Sequence, residues 1–304
     1  MNFLNALLNE LSLEERLTLA MAMILNVLIA LFDQLLPARN IFLLNVIIIA
    51  LIFAMCSLHL LLRFRWTGFF RDWYVLPIII VIYMENRTLI PLINPNDLDH
   101  LMISLDRILF FGHDPTVLLE SITFPVLSEV LQLSYASFYF LPFGLCVLLY
   151  FFGDREEFHV NASTILMGFY ISYMGYYITP VIGPRFTLDH LQSFPLCGVL
   201  TFDFVRTMLA EAEGMMRDCC PSGHAMISLL TVLLAWRFRR SFFPYALVWA
   251  SLITFSTIYL RYHYVADIII GWILGLLVFR YGPGFSLSLI GREIQPAESY
   301  ERTD

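Results

Sequence analysis

Eight stretches of the chain are built almost wholly of apolar side chains: residues 17–37, 41–63, 73–94, 131–152, 162–183, 222–237, 243–261 and 264–281. Each approaches the roughly 20 residues that an α-helix needs to cross a hydrocarbon core. Hydrocarbon offers backbone amides no water, so such runs must satisfy their hydrogen bonds internally as helices. None alternates with the two-residue period of barrel strands. The pattern therefore predicts an all-α, polytopic membrane helix bundle of about eight transmembrane helices. Between the third and fourth runs, NPNDLDHLMISLDRILFFGHDPTVLLESITFPVLSEV is too punctuated by Asp, Asn and Pro to cross. It predicts short interfacial helices lying among the lipid headgroups.

Composition agrees with the pattern. The 304 residues are 59% hydrophobic and 14% charged, with a mean hydropathy of +0.74, far more apolar than a soluble globular chain. The net charge is -7 and no long block of like charge occurs, which argues against a nucleic-acid partner and leaves membrane lipids as the surroundings. Glu10, Glu14 and Glu15 precede the first apolar run, the opposite of a signal peptide's basic start, so the N-terminus reads as mature, interfacial sequence. All 18 basic residues are arginines, and apart from Arg87, which lies inside the third run, they divide eleven to six between the two sides of an eight-span topology, with RFRR at Arg237 to Arg240 the densest cluster. Excess positive charge stays in the cytoplasm. Both termini are thus expected to be cytoplasmic.

Three polar segments fall together on the opposite, extracytoplasmic side: VIGPRF, CCPSGH and YLRYHYVAD. In the third, His263 and Asp267 are four residues apart, so on a helix the carboxylate can hold one imidazole nitrogen and leave the other to attack. A polar cap at a helix end would look the same. In the second, Pro221 suits a first helical turn, and Ser222 with Gly223 exposes amide groups at a helix N-terminus, a ready anion site. His224 on that turn is placed to act as a general acid, or is simply a surface histidine beside a cap. Arg185 offers a planar fork for two phosphate oxygens, or snorkels to the headgroups. Cys197, Cys219 and Cys220 share the loop before span six, so a bridge from Cys197 to either neighbour is open. No C-x-x-C spacing suggests a metal site. Glu85, Asn86 and Arg87 interrupt the third span, and read either as a functional group or as an internal pair locking helices.

The three segments resemble the motifs of the type 2 phosphatidic acid phosphatase superfamily, K-x6-R-P, P-S-G-H and S-R-x5-H-x3-D, over roughly residues 73–281. The resemblance implies a six-helix catalytic core at 73–281, preceded by an N-terminal segment with two additional helices at 1–72 and followed by a polar cytoplasmic tail at 282–304. It also implies a phosphohistidine mechanism on a lipid phosphate without metal or cofactor. His263 would be the nucleophile, Asp267 its partner and His224 the acid, with Ser222, Gly223 and Arg185 holding phosphate. The motif lysine falls on Ile178, the motif arginine falls on Thr257, and Phe186 replaces a proline. Arg261, four residues past Thr257, would supply the missing charge if the helix continues. The segment LDRILFFGHDPT is similar to the inositol phosphorylceramide synthase-like branch, which contains lipid phosphotransferases. A lipid phosphate phosphatase is therefore the first expectation and a lipid phosphotransferase the second. A transporter is the third, suggested by the span number and by Glu85 to Arg87, but no internal duplication supports it.

Overall fold

The computed structural model describes residues 3–62, 65–213 and 217–289. Among the described residues fifteen α-helices follow one another: α1 (Phe3–Glu10), α2 (Leu13–Leu31), α3 (Arg39–Leu62), α4 (Arg65–Trp73), α5 (Val75–Ile93), α6 (Asp99–Leu109), α7 (Pro115–Leu118), α8 (Pro125–Ala136), α9 (Phe140–Phe152), α10 (Arg155–Ile178), α11 (Pro184–Thr187), α12 (Phe202–Glu213), α13 (Gly223–Phe238), α14 (Phe243–Tyr259) and α15 (Val265–Leu289). Among the described residues there is no strand, only an isolated bridge between Val181 and Asp218. The protein is an all-α membrane helix bundle. Arg39–Leu62, Trp66–Ile93 and Val265–Leu289 are each long and apolar enough to cross a membrane, and α8 with α9 adds a fourth such span if the bent pair is counted as one.

Each expected apolar run falls mainly on a helix, with two differences in shape: the run at 17–37 leaves α2 after Leu31, and its last six residues form turns. The run at 131–152 forms no single rod: α8 begins at Pro125, and α8 and α9 meet at a 50° bend. Pro142 explains the break, because it has no amide to give the Phe138 carbonyl and a continuous ladder cannot run through it. The backbone tightens instead to i→i−3 bonds, from Phe140 N to Ser137 O and from Leu141 N to Phe138 O.

α13 is the axis of the bundle, packed against α9, α10, α14 and α15. It is buried on most of its faces up to Ala235, so its apolar residues show no amphipathic stripe, and only towards its end do Trp236 and Arg237 become exposed. α15 reaches it closely through Gly271, where a Cβ would stand 2.6 Å from the Ser222 carbonyl oxygen. α15 also runs on to Leu289, so residues 282–289 extend a helix where a polar tail was expected, and residues 290–304 lie outside the described set. α2 and α3 pack against this core. Ser12 and Glu15 form a capping box at the start of α2, and the same Glu15 carboxylate accepts from Arg71 and from the Tyr74 hydroxyl. In the third span Asn45 donates to Glu85 across 3.0 Å and Tyr177 donates to Asn86 across 2.8 Å, tying α5 to α3 and α10. Arg87 is exposed and takes no part in this lock.

Candidate active site

α13 begins where Ser222, fully buried, turns its hydroxyl back to accept from the Ala225 amide at 3.3 Å. The amides of Gly223 and His224 precede the reach of the helical ladder. A second bond fixes this turn to the third polar segment, since the Ser222 amide donates to the Asp267 carbonyl at 3.0 Å. Gly223 faces the cleft, and a Cβ there would stand 2.7 Å from the Tyr176 hydroxyl oxygen.

His263 sits between helices. α14 ends at Tyr259, and Arg261 adopts a left-handed φ of 69° while the amides of Tyr262 and His263 both bond to the Thr257 carbonyl. α15 starts only at Val265, so His263 and Asp267 do not share a helix as their spacing suggested. The chain instead folds back to bring His263 Nδ1 to 3.5 Å from Asp267 Oδ2, an ion-pair contact longer than a normal hydrogen bond. Asp267 Oδ2 accepts the Tyr264 amide at 3.0 Å.

The same turn corrects the expectation for Arg261. Because the helix stops, this residue does not occupy the Thr257 face one turn on. Its guanidinium points to Glu120 Oε1 at 2.9 Å, Gln192 Oε1 at 2.5 Å and the Phe194 carbonyl at 3.0 Å. It is buried in that cage, and desolvation there pushes its pKa down. Arg261 ties a loop and lines no part of the cleft.

The cleft itself, a cavity of about 60 Å³ partly open to its surroundings, is lined by His263, His224, Gly223 and Arg185 together with a largely aromatic wall. The imidazoles of His224 and His263 meet edge to face with centroids 5.7 Å apart. His224 is held by Tyr135, stacked at 4.4 Å, and by Phe138 at 4.3 Å, both carried by the α8–α9 bend. Arg185 lies over the rings of Phe186 and Tyr262 at 5.2 and 5.6 Å and, among the described residues, has neither a salt bridge nor a hydrogen-bonded acceptor. The structure thus brings Arg185, Gly223, His224 and His263 to one cleft, sets Asp267 behind His263 and Ser222 beneath the turn, and turns Arg261 away.

Two carboxylates that sequence patterns did not single out hold the arrangement. Asp99 on α6 accepts the amides of Ile182 and Gly183 at 3.0 and 2.9 Å and the Tyr264 hydroxyl at 3.0 Å. It joins the Arg185 loop to the His263 loop. Asp106, two turns further along α6, accepts the amides of Val265 and Ala266 at 3.0 and 2.8 Å and so caps α15. Burial pushes the Asp106 carboxyl up, and those two amides pull the other way. The signal was present as a seven-residue spacing, which places both carboxylates on one face of a helix.

Asp218 and Tyr83 also line the cleft. The Tyr83 hydroxyl donates to Asp218 Oδ2 at 2.6 Å. Burial raises the Asp218 carboxyl, opposed by Tyr83 and by nearby His263. All five cysteines are free, and the bridge left open for Cys197 is not formed. The Cys219 thiol donates to the carbonyls of Ile182 at 3.1 Å and Tyr262 at 3.3 Å, and burial lifts its pKa well above the usual range. Potential ligand atoms of Cys219, His263 and Asp267 lie within 4.8 Å of one another, with the Cys219 thiol hydrogen-bonded to two carbonyls.

A helical membrane protein with two histidines, a buried carboxylate and an arginine unpaired among the described residues around one cleft has the makings of a phosphoryl-transfer site. The PAP2 superfamily model matches residues 100–281, and the chain belongs to that superfamily. Membership makes it a phosphatase- or phosphotransferase-type enzyme. No curated protein and no solved structure matches the chain at a significant level.

Proposed function

We propose that the protein is an integral membrane lipid phosphate phosphatase working through a phosphohistidine at His263. The observation that carries this reading is the meeting of His263, His224 and Arg185, which come from three separate segments, around one cleft. An imidazole nitrogen of His263 attacks phosphorus, and the bond from phosphorus to the lipid oxygen breaks. His224 gives its proton to the departing alkoxide, leaving free lipid alcohol and phosphorylated His263. Water then attacks the phosphohistidine, its proton returns to His224, and inorganic phosphate departs. Arg185 and the first-turn amides of α13 hold the equatorial oxygens, where phosphoryl transfer needs fixed positive charge. Asp267 stabilises the charge that forms on His263. The arginine distribution supports an extracytoplasmic site with cytoplasmic termini.

A second reading replaces water with a hydroxyl of a polyol or lipid, as in the inositol phosphorylceramide synthase-like branch. It rests on the resemblance of LDRILFFGHDPT to that branch, and Asp106 of this segment holds the amides that follow the His263 loop. Purified protein given a labelled lipid phosphate, with and without candidate alcohols, separates the two. Free phosphate as the sole product under every acceptor supports the phosphatase, and a labelled ester supports the transferase. In either case His263→Ala should lower turnover about a thousandfold or more, and full turnover in that variant would end both readings.

A further inference from the structure

The cleft contains a feature that phosphate binding does not call for. Asp218 sits in its wall, bonded to Tyr83 and within electrostatic reach of Tyr173 and Tyr176, while Tyr135 and Tyr262 line the same cleft. Among the described residues Asp218 forms no salt bridge, since the neighbouring Arg217 is paired with Asp97. Its bonding partner of note is a neutral phenol, Tyr83.

A carboxylate beside a phosphate is electrostatically adverse. Two like charges a few ångströms apart at the edge of a protein repel by a few kcal/mol, and among the described residues lining the cleft Arg185 is the one permanent cation against them, His263 adding charge when it is protonated. The balance reverses when the substrate brings its own cation. An ammonium near Asp218 would cancel its charge, relieve the desolvation that raises its carboxyl, and lie against aromatic rings, whose faces attract ammonium groups. Rings and a carboxylate are the components from which proteins build cages for alkylated ammonium ions.

We propose that Asp218, Tyr83 and the neighbouring tyrosine rings form an ammonium subsite in the wall of the cleft, so that the preferred substrate is a phosphate ester that also carries an ammonium. The proposal rests on the phosphoryl-transfer reading of His263 and adds the substrate class to it. Arg185 and the start of α13 take the phosphate, while Asp218 takes the cation. Two kinds of lipid carry this chemistry: a long-chain amino-alcohol phosphate, in which the ammonium belongs to the departing lipid, and a phosphodiester with an aminoalcohol headgroup, in which it stays with phosphorus. In both, His263 displaces the lipid alcohol, which takes up a proton from His224, and the acceptor hydroxyl later regenerates His263.

The test compares phosphatidate, a sphingoid base 1-phosphate and phosphatidylcholine as substrates of the full-length protein in neutral detergent micelles. At least one ammonium-bearing ester should exceed phosphatidate in kcat/KM by tenfold or more. Asp218→Asn should lower that value at least tenfold, chiefly through KM, and should raise the value for phosphatidate. The better of the two ammonium esters identifies the source. Binding gives a readout independent of turnover: hexadecylphosphocholine should raise the Tm of the wild type more than hexadecyl phosphate does, and Asp218→Asn should abolish the difference. A preference for phosphatidate, equal losses on all three substrates, or equal Tm shifts from the two ligands would overturn the subsite. His263→Ala, run in parallel, separates failure of the subsite from failure of the phosphohistidine reading, because only the latter leaves turnover intact in that variant.

Discussion

At the residue scale, spacing named the histidines and geometry reassigned their neighbours. PSGH and HYVAD carry their chemistry in short local patterns, so His224 and His263 were legible from the order of residues alone. Asp218 was not, because a single aspartate beside two cysteines has no period and no partner within its own segment. Arg261 was misplaced because spacing alone assumes that a helix continues. Its left-handed backbone ends α14 and delivers the guanidinium to Glu120, with side chains only 6% and 10% exposed. Removing one partner of so buried a pair strands the other charge, at a cost of about 3 kcal/mol or more. Arg261→Ala should therefore lower the Tm of the protein in detergent by several degrees. A raised KM at unchanged Tm would return Arg261 to the substrate.

At the element scale, α6 is the piece that makes two loops into one site. Asp99 holds the segment before Arg185, and Asp106 holds the segment after His263. The amphipathic helix was legible from the punctuated sequence between spans three and four, whereas its docking was not, because backbone amides leave no mark in a sequence. The bend between α8 and α9 was missed for a related reason: hydropathy registers side chains, and the cause is the amide that Pro142 lacks. Burial lifts the Asp106 carboxyl above its unfolded value. Between those two values the folded protein holds a proton that the unfolded chain has released, so stability falls as pH rises from the ordinary carboxylate range through the raised one. Asp106→Asn removes this contribution and one of the two acceptor oxygens. Its Tm should be lower at neutral pH and should decline less over the acidic range, and a decline as steep as that of the wild type would contradict the assignment.

At the scale of the whole molecule, the two ends of the bundle are built differently. α10, about 36 Å long at 1.5 Å per residue, has His159 near one end, 3.1 Å from Glu14 Oε1, and Tyr176 near the other, on the wall of the cleft. The first end is tied by charges, Arg71 to Glu15 and Arg155 to Asp72, and the second holds the cleft with His224 and His263. Apolar runs made the bundle legible, and the arginine bias gave it an expected direction. That direction is testable through the cysteines, because Cys197 is exposed while Cys56, Cys146, Cys219 and Cys220 are buried. A membrane-impermeant maleimide applied to intact cells should label Cys197 and lose its target in Cys197→Ser. Labelling only in inverted vesicles would reverse the proposed orientation.

The central claim is that a phosphoryl group passes through His263. Rapid quenching of the purified protein during turnover of a lipid carrying labelled phosphorus, followed by peptide mapping under alkaline conditions, reads it directly. The expected result is an acid-labile label on the peptide containing His263, absent from His263→Ala. Turnover without any labelled histidine, or a label that persists in His263→Ala, would contradict the account.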